Sequence, residues 1–333
     1  MEIIPGIYQL KVPIPDNPLG HLNCYLLSGE RGWIMIDTGW DTEEAFNSLQ
    51  EQLRRVDIDF RDIAYILVTH VHPDHFGLAG RIKKLTPAKL AYHHWEKALV
   101  ESRYIHFAEL QKSMGELLHS HGVPDITLPK LQTASQAALG FVTIAWPDQV
   151  LYGGERFSNG SFELQALWTP GHSPGHLCFY EPAKKLLFAG DHILPITTPN
   201  VSYHLQSGSN PLGDFIHSLK QLERLPVQLV LPAHEHIFEG LGQRIREIVH
   251  HHEARKAAIL EIISKEAQSA WAVSARIPWN TLGQTWDQMP PLLCRMAVTE
   301  TLSHLELLWI EGEAERITQN GMVLYRQASG QAA

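Results

Sequence analysis

The sequence has little cysteine: Cys24, Cys178 and Cys294 are its only three, far apart and odd in number. With no CxxC pair among them, a disulfide scaffold is excluded and a reducing compartment is expected. Long apolar runs are missing as well. No stretch reaches the roughly 20 residues that a spanning helix needs, so no membrane partner is expected. The segment Met1–Lys11 lacks a basic stretch followed by an apolar one, which argues against a secretory signal and for a cytoplasmic location. Positive charge is scarce: 27 Lys and Arg face 36 Asp and Glu, for a formal net charge of −9. An affinity built on neutralising many phosphates is therefore disfavoured, although metals and a local patch could still hold a nucleic acid. There is no internal repeat. The only low-complexity tract is His250-His251-His252, which reads as a solvated helix face.

Histidine, by contrast, is abundant, with 20 in 333 residues. The stretch Thr69-His70-Val71-His72-Pro73-Asp74-His75 places three imidazoles and a carboxylate within six positions, directly after the apolar run Ile63–Val68. Imidazole suits zinc, iron and similar metals, and a carboxylate adds charge and an oxygen ligand. Four such side chains at a strand end, where the backbone turns, can converge on one point.

Coarse patterning places these residues. Cys24–Leu27 and Trp33–Asp37 read as strands, the second ending at Asp37-Thr38-Gly39. Asp41–Val56 and His75–Leu85 have helical periodicity, and a helical stretch runs from Glu96 to about His121. Strand character returns at Phe162–Trp168, Leu177–Tyr180, Leu186–Ala189 and Val227–Leu231. Strands alternating with helices suggest two βαβ-rich halves around one core. Beyond about Gly242 the pattern turns helical, ending in a hairpin at Ala314–Tyr325 with Asn320-Gly321 as its turn. The expected division is a catalytic domain over 1–241, with a helical insert at about 96–146, and a C-terminal module over 242–333.

Ligand-type residues recur at three later strand ends. Thr169-Pro170-Gly171-His172-Ser173-Pro174-Gly175-His176 follows one strand, Gly190-Asp191-His192 the next, and Pro232-Ala233-His234 the last. Glycine and proline around each allow tight turns and close backbone approach. Ligands from several strand ends meeting at one sheet edge make a site.

The combination HxHxDH, PGHSxGH, GD and PAH, spanning about Ile3 to Glu239, resembles the metallo-β-lactamase-fold hydrolases. It is most similar to their glyoxalase II-like dinuclear branch. The resemblance implies a four-layer αββα sandwich with a helical insert. It also implies one metal on His70, His72 and His172, a second on Asp74, His75 and His234, and Asp191 bridging the two. Asp37 then falls where the family keeps a carboxylate that orients a ligand. Five imidazoles and two carboxylates are in any case too many for one tetrahedral zinc and natural for a pair. Zinc is the first expectation for both divalent ions, with iron or manganese as alternatives. His176 and His192 read as packing or supporting residues rather than ligands. His21 reads as part of a loop that could line the pocket mouth, and Glu235-His236 either as a brace for His234 or as solvent-facing.

The stretch Val298–Leu308, with Gly312 and the hairpin, looks like a winged-helix module of the kind found in the lactamase-β-like group. From Ile245 to Ala333, however, eight basic residues face ten acidic ones, and Glu300 and Glu306 lie on the candidate helix. A DNA-reading helix should carry a basic face. The module is therefore read as a packing, cap or dimerisation element, which leaves a homodimer open. His72 stands where flavodiiron oxygen reductases carry Glu, no nuclease cap domain is inserted, and the glutathione-binding residues of glyoxalase II are not found.

The function expected is a dinuclear hydrolase using a metal-bridging hydroxide on an ester-like carbonyl, a thioester or lactone, of a small-molecule substrate. Asp74 would double as proton acceptor or orienting group. The alternatives are a phosphodiesterase or ribonuclease with the same ions, and a mononuclear iron persulfide dioxygenase.

Overall fold

The computed structural model describes residues 1–15, 17–280 and 283–329, so Asp16 of the Pro13–Gly20 loop lies outside it. The chain divides into two compact units. The first comprises residues 1–105, 137–199 and 218–245, and the second 106–136, 200–217 and 246–333. The region read as one helical insert therefore contributes to both: Glu96–Ile105 belongs to the first unit and 106–136 to the second.

Two sheets build the first unit. One runs in order β1 (Glu2–Ile4), β2 (Ile7–Pro13), β3 (His21–Leu27), β4 (Trp33–Ile36), β5 (Ile63–Leu67), β6 (Lys89–His93) and β7 (Gln149–Leu151). The other is formed by β8 (Arg156–Ser158), β9 (Glu163–Trp168), β10 (Leu177–Glu181), β11 (Leu186–Gly190) and β12 (Leu229–Pro232), again in chain order. Successive strand side chains point to opposite faces, and both faces of the first sheet are apolar. In β3 and β4, Tyr25, Leu27, Ile34 and Ile36 enter a core shared with Phe157, Leu164, Phe179 and Phe188 of the second sheet. Their alternates Cys24, Leu26 and Met35 enter another core, with Phe46, Leu49, Leu53 and Phe76 from helices. On the second sheet, Cys178, Leu187, Ala189 and Val230 alternate with the shared-core residues and are also buried. The result is the α/β sandwich expected.

The expected βαβ character is only partly present. Parallel pairing is confined to β4–β7 and to β11 with β12; the remaining pairs are antiparallel. Short turns rather than helices join β8 through β11, and short turns permit antiparallel pairs. The buried apolar side chains of this unit likewise do not form a single core: the one between the sheets and the one under the first sheet's helices are separate.

Local chemistry accounts for the supporting helices. Helix Glu43–Arg55 starts on Thr42, whose side chain accepts from Ala45 N at 3.1 Å. Glu43 and Glu44 occupy its first turn and Arg54 and Arg55 its last, as the helix dipole favours. The predicted helix His75–Leu85 is two short ones, Pro73–Phe76 and Ala79–Lys83. Gly77 lies between them, where an added Cβ would meet the Phe141, Pro73 and Gly39 carbonyls within 2.8 Å.

The second unit includes helices Phe107–Ser120 and Pro291–Ile310 and the antiparallel hairpin β13 (Ala314–Gln319) and β14 (Met322–Gln327). Its turn is the expected Asn320-Gly321, both at positive φ, the conformation of a type I′ turn. Its cores gather Ile259, Ile263, Leu302, Leu305, Leu308 and Tyr325, and Leu118, Val123, Leu131 and Val298. The histidine run departs from expectation: His252 is fully buried and His250 alone is exposed. Helical spacing explains it, since 252 falls on the face of the buried Ile245, Ile248 and Ile259.

Candidate metal centre

Strand direction brings the ligand-type residues to one place. β9 is antiparallel to β10 and β10 to β11, while β12 is parallel to β11, so β9, β11 and β12 end on the same edge. His172, Asp191 and His234 follow those three ends. The segment after β5 joins the same edge, because Leu177 N donates to the Thr69 carbonyl at 2.9 Å. A bond from Ala233 N to the Gly190 carbonyl, 3.0 Å, holds the last two turns together.

All seven candidates meet there, in two sets. His70, His72 and His172 offer ligand atoms within 4.8 Å of one another, and so do Asp74, His75, Asp191 and His234. In the first set His70 Nε2 lies 2.8 Å and His172 Nε2 3.1 Å from His72 Nδ1. One ring nitrogen has one proton or one lone pair, so His72 Nδ1 cannot pair with both. Two nitrogens on a tetrahedral zinc sit roughly 3.3 Å apart, a spacing close to this one. In the second set His234 Nε2 lies 3.1 Å from Asp74 Oδ2 and 3.3 Å from Asp191 Oδ1, and His75 Nε2 lies 3.4 Å from that same Oδ1. The other Asp191 oxygen, Oδ2, is 3.6 Å from His172 Nε2. Asp191 thus turns one oxygen to each set.

Charge is distributed unevenly between the sets. Burial, reinforced by neighbouring imidazoles, holds His70 and His72 well below the ordinary histidine range. Burial opposes the charged forms of His75 and His234 too, but Asp191 and Asp74 outweigh it, lifting His234 to about 9 and raising His75 well above its usual value. Burial likewise opposes the Asp191 carboxylate, yet the His234 and His75 charges hold its pKa well below normal. Meanwhile His75 Nε2, His234 Nε2 and Asp191 Oδ1 are buried without a hydrogen bond. Convergent lone pairs, two carboxylates and orphaned buried nitrogens are what a pair of divalent cations would satisfy, so the residues fit such a group.

The far side of each ligand is held. Asp37 Oδ2 lies 2.8 Å from His75 Nδ1, and Asp37 Oδ1 accepts from Thr69 N at 2.8 Å. The His21 carbonyl, 3.1 Å away, accepts from His234 Nδ1; the sequence offered His21 only as part of a pocket mouth. His176 Nε2 accepts from Asp191 N at 3.2 Å, which leaves Nδ1–H to donate to Thr169 Oγ1 at 2.9 Å. Glu235 instead braces a loop, accepting from Ile196 N at 2.7 Å and Thr197 N at 3.0 Å. His93 ends β6, where its ring is stacked on Trp168.

One group at this centre escaped the sequence reading. The buried Glu96 accepts from Val71 N and Gly175 N, both at 2.8 Å, and from Ser173 Oγ. In sequence it looks like any acid in a helix's first turn.

Comparison with known proteins agrees with this geometry. The family model of the metallo-beta-lactamase superfamily matches residues 18–234. A metallo-beta-lactamase family protein from Thermus thermophilus superposes with a TM-score of 0.83 at 32% identity, over 98% of this chain and 100% of that one. A beta-lactamase domain protein from Burkholderia ambifaria gives a TM-score of 0.78 at 27% identity, over 98% and 94%. The probable metallo-hydrolase YqjP of Bacillus subtilis is 23% identical, over 92% of each chain. The lactamase-like protein aptB of Emericella nidulans is 25% identical over 73% of this chain, and the match spans only 60% of that relative's length.

Proposed function

The chain belongs to the metallo-beta-lactamase superfamily of metal-dependent hydrolases, and on that premise we propose a dinuclear enzyme of the glyoxalase II-like kind that hydrolyses a thioester or lactone. The observation that carries this reading is Asp191, whose Oδ1 lies 3.3 Å from His234 Nε2 and whose Oδ2 lies 3.6 Å from His172 Nε2. A carboxylate turned both ways suits two ions better than one. The complete second set likewise favours two ions over the single iron of a persulfide dioxygenase.

His70, His72 and His172 would hold one ion, and Asp74, His75 and His234 the other, with Asp191 shared. Bound there, the ions would acidify a water and polarise the acyl oxygen under attack. Asp37 and the His21 carbonyl fix the His75 and His234 rings by accepting a hydrogen bond from each Nδ1–H, which leaves each Nε2 lone pair for coordination. Asp74 remains partly open to solvent, and we assign it a second role. It takes the proton of the attacking water as the new carbon–oxygen bond forms, then passes it to the departing thiol or alcohol.

Carbonyl chemistry is preferred to phosphodiester cleavage because the helix that would have to read a nucleic acid is occupied by packing. In helix Pro291–Ile310 every residue from Ala297 to Leu308 is buried, Glu300 and Glu306 included. We read residues 242–333 as a winged-helix-like packing module on the same ground.

Metal analysis combined with a substrate panel tests the proposal. An acyl thioester, a lactone, bis-p-nitrophenyl phosphate and single-stranded RNA would be offered to the metal-loaded protein. Two ions per chain and preferential acyl hydrolysis are expected, and Asp191→Ala should abolish turnover and lower metal content. Dominant phosphodiester cleavage would overturn the substrate class, and full activity of Asp191→Ala with one ion would overturn the dinuclear mechanism.

A further inference from the structure

The two loops carrying the first ligand set share no strand. His70 and His72 follow β5, whereas His172 follows β9 in the other sheet. Their three ring nitrogens can hold one ion only if the loops keep a fixed separation. Between them lies Glu96, fully buried, with no lysine or arginine in ion-pair range among the described residues.

Its two oxygens reach different loops. Oε2 accepts from Val71 N at 2.8 Å, the peptide between His70 and His72. Oε1 accepts from Gly175 N at 2.8 Å and from Ser173 Oγ, on either side of Pro174 and just past His172. Tyr104 completes the grip on Val71, donating its hydroxyl to the Val71 carbonyl at 2.6 Å. Gly175 allows this approach: an added Cβ would stand 2.8 Å from both Glu96 N and Glu96 Cγ. Three donors from two loops thus converge on one buried side chain.

We infer that Glu96 is a positioning residue for the first metal ion, clamping the His70–His72 loop to the His172 loop so that the three imidazoles stay convergent. It stands outside both ligand sets. The inference rests on the dinuclear reading above and adds a residue outside the seven ligands. Asp37 serves the second set by contacting a ligand ring, whereas Glu96 acts on backbone and hydroxyl donors beside the ligands.

The substitution Glu96→Gln tests it. Glutamine keeps one acceptor oxygen but turns an NH₂ toward an N–H donor on one loop, so the clamp opens on one side. Cobalt(II) titration followed by visible absorption, with metal analysis, should show two ions bound by the wild type. In Glu96→Gln one ion should weaken 10- to 100-fold, on the order found when outer partners of metal ligands are removed. The remaining ion should bind as in the wild type and give the spectrum of the His172→Ala variant, in which a first-set ligand is deleted. Should Glu96→Gln fail to fold, Ser173→Ala and Tyr104→Phe each remove one bond of the same clamp and should each weaken the same ion. Two ions bound with wild-type affinities in the folded variants would overturn the inference, as would equal loss of both ions. Fewer than two ions on the wild type would instead overturn the dinuclear reading beneath it.

Discussion

Asp37 shows how much a single side chain does here. It is buried, adopts φ 59°, and divides its oxygens between the Thr69 backbone and the His75 ring. Positive φ is costly for most residues but tolerated by Asp and Asn, so Asp37→Asn preserves the backbone and changes only charge and one acceptor. The amide has a single oxygen and so can accept from Thr69 N or from His75 Nδ1 but not from both, and an imidazole without its acceptor loses basicity toward a metal. A 10- to 100-fold loss of affinity is expected for the ion on Asp74, His75 and His234. The first-set ion should be retained. A chelator-competition titration that finds both affinities unchanged would refute this role for Asp37.

At the scale of elements, the site depends on turns whose glycines cannot be replaced. Gly190 ends β11 at φ 52°, and a Cβ there would lie 2.6 Å from His176 Nε2 and 3.0 Å from Thr69 Cβ. His176 Nε2 is the atom that accepts from Asp191 N. Gly190→Ala therefore adds backbone strain and a clash, about 1–3 kcal/mol each. The expected outcome is a lower urea midpoint together with reduced metal content, because the displaced His176 releases the Asp191 peptide. Wild-type stability and stoichiometry would contradict it. These turns also show what the sequence made legible. Gly190-Asp191, Pro232-Ala233-His234 and the HxHxDH stretch advertise themselves because glycine, proline and clustered imidazoles are rare beside apolar strands. Glu96, the His21 carbonyl and the Tyr104 hydroxyl do not, because their partners lie far along the chain. Strand pairing was hidden for the same reason: β1 and β2 carry no motif, and nothing local says that β8 through β11 pair antiparallel. His252 was misread because three adjacent histidines look solvated until helical phase is counted.

For the molecule as a whole, stability in acid should depend on a polar pair far from the metal ligands in sequence. In the second unit His304 Nδ1 donates to the Glu300 carbonyl at 2.8 Å, which leaves Nε2 to accept from His252 Nδ1 at 3.1 Å. Both rings are fully buried and neutral in this arrangement. Burial pushes His304 down to about 3, with Arg255, His251 and Lys256 adding repulsion that the Glu300 carbonyl only partly offsets. Burial and the His304 ring hold His252 well below its usual range as well. Unfolded, each histidine titrates near 6.5 and so binds the proton first. Between about 6.5 and 3 the unfolded chain carries more protons, and stability therefore falls as pH falls through that window. Each histidine contributes a slope of at most about 1.4 kcal/mol per pH unit. Replacing the pair together, His252→Phe with His304→Leu, removes both donors and acceptors, so it avoids orphaning one ring. The double variant should gain stability relative to the wild type as pH falls from 7 to 5, its unfolding midpoint falling less steeply on acidification. Metal-site histidines titrate alike in both proteins, so the difference in slope isolates this pair. Parallel pH profiles for the two proteins would show that the buried pair does not govern acid stability.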